Sequence, residues 1–186
     1  MSSLKDFSLH ILDLAQNSLR AGATFVRFFI DEQVAKNLLI VKIEDNGHGM
    51  SPADVAKVMD PFFTTRTARR VGLGIPLFAA AAKRCDGGIT IKSELGKGTI
   101  ITATFALNHW DKPPLGDIAG TLITLIAGNC TVDFHYRQRR GKTEYRFDTR
   151  KIKEVLKNVP INNPKVLAYL EEDIRRGLAK FEVFKN

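Results

Sequence analysis

Apolar residues at positions 9, 11, 12, 14, 15 and 19 recur at the spacing of a helix buried over most of its circumference, and the pattern stops at Gly22. The spacing predicts a helix over Leu9–Ala21. One line along it is polar: His10, Asp13, Asn17 and Arg20 are spaced three, four and three residues apart and share a face. A helix buried only for packing does not carry such a line. The period then changes to two. Thr24–Ile30 and Leu38–Glu44, rich in β-branched and aromatic residues, predict two strands, with the polar stretch Asp31–Asn37 as a hairpin-like connection. Alternation puts Leu39, Val41 and Ile43 on one face, and the next position on that face is Asp45. A carboxylate is thereby aimed at the core side.

Glycines punctuate the chain after Asp45. Asp45-Asn-Gly-His-Gly-Met50 reads as a turn, after which Ser51 and Pro52 start a short helix as N-cap and first helical residue. Pro61–Val71 is irregular and holds three arginines, and Gly72-Leu-Gly74 leads into an alanine-rich helix over Ile75–Arg84. Strands are predicted at Ile89–Ser93 and Thr99–Leu107, joined by the Gly96-Lys-Gly98 turn. Asn108–Leu115, with Pro113 and Pro114, reads as a linker. Beyond it the pattern predicts a helix (Asp117–Ala127), a hairpin (Val132–Arg137 with Thr143–Asp148 around Gly141) and helices near Arg150–Lys157 and Pro164–Phe181. There is no internal repeat.

Composition narrows the class. With 186 residues, 44% apolar and 26% charged, the chain suits one domain with a small appendage and excludes disordered, collagenous and disulfide-stapled classes. Its charge of +8 is local, since Arg137–Lys157 alone holds nine basic and three acidic residues. Cys85 and Cys130 form no metal or redox spacing and read as free thiols. The start, MSSLKDFSLH, has no signal-peptide hydrophobic region, and the longest apolar run, Ile118–Gly128, is too short to span a bilayer. These features predict a soluble, cytoplasmic protein.

Five boxes then occur in order: Asp13-x-x-x-Asn17 on a helix, Asp45-x-Gly47-x-Gly49 after a strand, Pro61-Phe-Phe-Thr-Thr65, Gly72-Leu-Gly74 opening a helix, and Gly96-x-Gly98-Thr99 before a strand. Together they resemble the GHKL ATP-binding family of gyrase, heat-shock chaperone ATPases, histidine kinases and MutL-type mismatch-repair ATPases, over about residues 8–107. The resemblance implies an α+β fold, a two-layer sandwich of the Bergerat type with a mixed, largely antiparallel sheet and helices on one face. Residues 1–108 would form the ATP-binding domain. Residues 109–186 would be a small α/β extension for partner docking or dimerisation.

Chemistry gives each box a role. ATP requires a match for adenine, a magnesium ion, and N–H groups or cations near the γ-phosphate. Asp45, an acceptor on an otherwise apolar face, suits the adenine amino group, as the resemblance implies, and Thr99 reaches the same site from the core side. Asn17 offers magnesium a hard oxygen. Asp13, one turn earlier, orients or deprotonates the attacking group; it stands where hydrolysing members carry Glu, which favours binding over fast hydrolysis. Gly47 and Gly49 let the backbone pass close to the base. Gly72, Leu73 and Gly74 lie beside the triphosphate at a helix N-terminus. Thr65, Arg66, Arg69 and Arg70 border a short lid, with one arginine expected on phosphate; Phe62 and Phe63 are read as packing residues. Neither His10 nor His48 has the context of a phosphoacceptor. The expected function is an ATP-binding regulatory protein resembling the catalytic domain of histidine kinases, with slow hydrolysis or transfer to a histidine or serine of a separate protein. Alternatives are a non-catalytic nucleotide sensor and an ATPase of a MutL-like nucleic-acid transaction. ATP and Mg2+ are the expected ligands, a phosphoacceptor in trans the expected partner, and a homodimer a candidate assembly.

Overall fold

The structure, a computed structural model, describes residues 6–58 and 74–182. Helix α1 (Phe7–Arg20) starts at Asp6, whose carboxylate accepts the Leu9 N–H at 3.0 Å. Strands β1 (Phe25–Gln33) and β2 (Leu38–Asp45) are joined by a 3-10 turn over Val34–Lys36 and by Asn37 at φ 49°. Helix α2 (Pro52–Lys57) has Ser51 as its cap. The chain continues with α3 (Gly74–Arg84), β3 (Gly88–Glu94), β4 (Gly98–Ala106), α4 (Ile118–Gly128), β5 (Asp133–Arg140), β6 (Thr143–Asp148), α5 (Thr149–Leu156) and α6 (Pro164–Glu182).

The strands form one mixed sheet in the order β3-β4-β2-β1-β5-β6, antiparallel throughout except for the parallel pair β1–β5. This is the α+β sandwich expected from the sequence. Period-two alternation buries Val26, Phe28 and Ile30 of β1, Leu39, Val41 and Ile43 of β2, and Phe105 of β4 on one face. Phe7 of α1 and Phe78 of α3 meet Phe105 there, with ring centroids 4.8 to 6.4 Å apart. Each fully buried ring stabilises the fold by roughly 2 to 3 kcal/mol. No strand side chain on the opposite face is buried among the described residues.

The residues after 108 complete this sheet. Strand β5 pairs with β1 from Phe25↔Asp133 to Glu32↔Arg140, and Ile118, Leu122, Phe134, Tyr136 and Ile174 belong to the same core as α1 and β1. The proline-containing connection is fastened as well: the Phe7 and Ser8 N–H groups donate to the Pro114 and Leu115 carbonyls at 2.9 Å. Cys85 is buried, Cys130 exposed, and both are free. Among the described residues no helix is long and apolar enough to cross a membrane.

Candidate functional site

The polar line of α1 meets the first residue of α3. The missing Cβ of Gly74 leaves space that the Asp13 carboxylate fills: a Cβ there would overlap Asp13 Oδ2 and lie 3.7 Å from Asn17 Nδ2, and a larger residue would push that carboxylate aside. The amide end of α3, with its positive partial charge, is therefore placed beside Asp13 and Asn17. The Asn17 side-chain oxygen accepts from Arg20 Nη1 at 2.7 Å. At the other end of the line His10 is only 2% exposed, with its ring 5.0 Å from that of Phe78 and Nδ1 without a hydrogen-bond partner. Burial lowers its pKa to about 4. It is a neutral packing group closing the end of the line.

A second cluster forms where β2 ends. Asp45 Oδ2 accepts from Ser18 Oγ of α1 at 2.7 Å, and Oδ1 accepts the Gly47 N–H at 2.9 Å. Both carboxylate oxygens are thus held, each by one donor, leaving further lone pairs. Asp45 is the register partner of Thr99 on β4. The buried Thr99 hydroxyl lies 2.9 Å from Ser93 Oγ, which also accepts the Met50 N–H at 2.8 Å. Asn46 ties the turn to the start of β1 by accepting the Thr24 and Phe25 N–H groups at 2.9 Å.

The glycines of this turn have neighbours in the chain itself. A Cβ on Gly47 would meet the Ala21 carbonyl oxygen at 2.8 Å, and one on Gly49, at φ 68°, would strike the Glu94 carbonyl. Gly98, at φ 96°, is held in the same way against the Asp45 carbonyl. The need for glycine is thus already set by protein backbone, independently of any base beside the turn.

Thr65, Arg66, Arg69, Arg70, Gly72 and Leu73, with the Pro61–Thr65 box and Phe62 and Phe63, lie outside the described residues. Among the described ones no group of three or more His, Cys, Asp or Glu is arranged to hold a metal ion. The Asn17 side-chain oxygen, a hard donor with the Asp13 carboxylate one turn away, fits Mg2+, which takes few protein ligands and keeps its waters. Two participants escaped the sequence pattern, Ser18 on Asp45 and Ser93 on Thr99, and a third, Arg20, was placed on the polar line without its role as the partner of Asn17. A cavity of about 1140 Å³ lies at the opposite end of the strands, bordered by Glu32, Leu39, Leu107, Gln138 and Phe181, and shares no residue with this site.

Residues 5–109 match the family model described as "Histidine kinase-, DNA gyrase B-, and HSP90-like ATPase". A protein of Shewanella frigidimarina described as "Putative sensor protein" is 40% identical over 103 residues, covering 54% of this chain and 16% of that protein. The sensor protein kinase FleS of Pseudomonas aeruginosa is 33% identical over 97 residues, covering 52% of this chain and 24% of FleS. The sensor histidine kinase WalK of Bacillus subtilis is 36% identical over 97 residues, 47% of this chain and 16% of WalK. The matched part thus spans a quarter or less of these relatives. Among solved structures, the N-terminal domain of a DNA repair protein superposes with a TM-score of 0.56 at 12% identity, covering 78% of this chain and 52% of that one. That share exceeds what residues 5–109 alone supply, so the likeness of fold continues past residue 109.

Proposed function

Because the chain belongs to the family of histidine kinase-, DNA gyrase B- and HSP90-like ATPases, we propose that its ATP-binding, histidine-kinase-like catalytic domain transfers the γ-phosphate of ATP to a separate protein, with slow hydrolysis as the side reaction. Asp45 accepts the hydrogen bond of the adenine amino group, Ser18 and the Gly47 N–H fix its carboxylate, and Thr99 borders the base from β4. The triphosphate runs toward the start of α3 at Gly74, whose helix amide end favours phosphate oxygens, with Gly72 and Leu73 of the same box as further candidates for phosphate contact. Thr65, Arg66, Arg69 and Arg70 add a hydroxyl and positive charge for the phosphates. Asn17 would hold Mg2+ through the side-chain oxygen that accepts from Arg20 in this structure. Bound there, the ion neutralises phosphate charge. Asp13 receives the proton of the attacking group.

The observation that carries this reading is the contact of Gly74 with Asp13 and its approach to Asn17, because it joins the candidate base, the metal ligand and a helix N-terminus in one place. Calorimetry with Mg-ATP tests it: wild type binds, and Asp45→Asn, which removes the charge and replaces one acceptor oxygen with an NH2 donor, binds at least tenfold more weakly, about 1.4 kcal/mol or more. Absence of binding by wild type overturns it. Asp13→Asn is expected to keep the affinity and abolish turnover. A second reading, a nucleotide sensor without catalysis, is favoured by the short side chain of Asp13, and unchanged behaviour of Asp13→Asn in every assay selects it.

A further inference from the structure

The sheet face turned away from the buried core, reached by Arg150 and Lys153 of α5, has a composition that nucleotide binding does not use. Alternation sets Phe25, Arg27 and Phe29 of β1 on it, beside Arg137 and Arg139 of β5 and Arg146 of β6. Neither ring is part of the buried core. Both are instead approached by cations: Lys42 Nζ is 4.5 Å from the Phe29 centroid, and the Arg150 and Arg27 guanidiniums are 4.2 and 5.5 Å from that of Phe25. His135 stands against Phe29 with ring centroids 5.7 Å apart.

The charges are unevenly matched. Glu144 is shared by Arg137 and Arg146, Glu44 by Arg27 and Lys42, while Asp31 pairs with Arg139 and Asp148 with Arg150. Six cations therefore rest on four carboxylates. The arginine side chains at 139, 146 and 150 are 44%, 64% and 50% exposed, whereas the carboxylates that hold them are 20%, 27% and 10% exposed, so the guanidiniums form the outer layer of the face. Arg139 and Arg150 grip Asp31 and Asp148 through two N–H groups each, which fixes the guanidiniums in place while their remaining N–H groups stay available to an incoming anion. Exposed Lys142, Lys151 and Lys157 border the patch in the β5–β6 turn and α5 and add to its charge.

We propose that the open face of β1, β5 and β6 binds single-stranded nucleic acid, with phosphates on Arg137, Arg139, Arg146 and Arg150 and bases stacked on Phe25 and Phe29. Charge complementarity requires a polyanion, and the two rings select one with unstacked planar groups. An acidic protein satisfies the first condition only, and a duplex keeps its base faces hidden. Phe25 and Phe29 lie four residues apart on one strand, about 13 Å, enough for separate bases of one extended strand.

Fluorescence anisotropy of a labelled oligothymidylate or oligouridylate of about 20 nucleotides, with the full chain and saturating Mg-ATP to fill the nucleotide site, tests the proposal. Affinity is expected to fall with salt at a log–log slope of about −2 to −3, corresponding to three or four phosphates on a single strand. Arg139→Glu combined with Arg146→Glu weakens binding at least tenfold. Phe29→Leu weakens it about fivefold or more with the slope unchanged, and ATP affinity reports that this variant is folded. Arg176→Glu on α6 leaves binding as in wild type. The proposal is overturned by absence of binding at low salt, by equal binding of polyglutamate or duplex DNA, or by an Arg176→Glu loss as large as that of the arginine pair. A difference between the two oligonucleotides identifies DNA or RNA as the source.

Discussion

A histidine between Phe78 and the body of α1 makes the fold sensitive to acid. His10 is buried and its pKa lowered to about 4 by burial, whereas the unfolded chain titrates near 6.5. The unfolded state therefore binds the proton more readily, and stability present above about pH 6.5 is lost as pH falls toward 4. Between pH 7 and pH 5 the loss is about 2 kcal/mol. Urea denaturation at both pH values should show this component in wild type and lack it in His10→Leu. Asp13, Asn17 and Asp45 were readable for the same reason that His10 was: each interrupts an otherwise apolar period at a defined phase. Ser18 and Ser93 were not, because small hydroxyl residues fit the interior as well as the surface and their partners lie elsewhere in the chain. The Ser18–Asp45 bond spans 27 residues of sequence.

At the scale of elements, burial of one face per strand and one stripe per helix made nearly every segment legible, and the discrepancies have physical causes. Strand β1 runs on to Gln33, through residues that read as a polar connection. Asp31 faces the open side, where Arg139 pairs with it, and the nearly buried Glu32 is satisfied by Gln138 and Arg140. Polar residues that find partners only in β5 imitate a loop in the sequence. The turns that join the candidate adenine site make a sharper test. Gly98→Ala places a Cβ against the Asp45 carbonyl at φ 96° and is expected to destabilise by about 2 to 4 kcal/mol. Gly96, two residues earlier at φ 76°, has open space around it, so Gly96→Ala costs only the left-handed conformation, about 1 kcal/mol. Denaturant midpoints of the two variants should differ accordingly, and equal losses would show that the Gly98–Asp45 approach does not hold the turns together.

The whole molecule turns on the parallel seam between β1 and β5. The resemblance covered the first 107 or so residues and left the remainder as an appendage, because β5 and β6 carry no box and a parallel partner has no short-range signature. In the structure that seam closes β1 over eight positions, stacks Phe28 and Phe134 with centroids 6.4 Å apart, and buries a chain from Tyr136 Oη to Gln138 at 2.7 Å and from Gln138 to Glu32 at 3.3 Å. A fragment of residues 1–108 would expose Phe28 and Ile30 at an open strand edge and leave Glu32 without these partners, so it is expected to aggregate or to lack a cooperative transition. The full chain should instead unfold in one calorimetric transition with equal van't Hoff and calorimetric enthalpies. ATP then becomes a probe of the seam. At about 100 times its Kd a ligand adds about 2.7 kcal/mol to the unit that binds it. If β1 and β5 belong to one cooperative unit, amide exchange in the β5–β6 hairpin slows with Mg-ATP by the same factor as in β1, although the candidate nucleotide site holds no residue of that hairpin. Slowing in β1 without slowing in β5–β6 would mean that the seam opens independently and that the two parts fold as separate units.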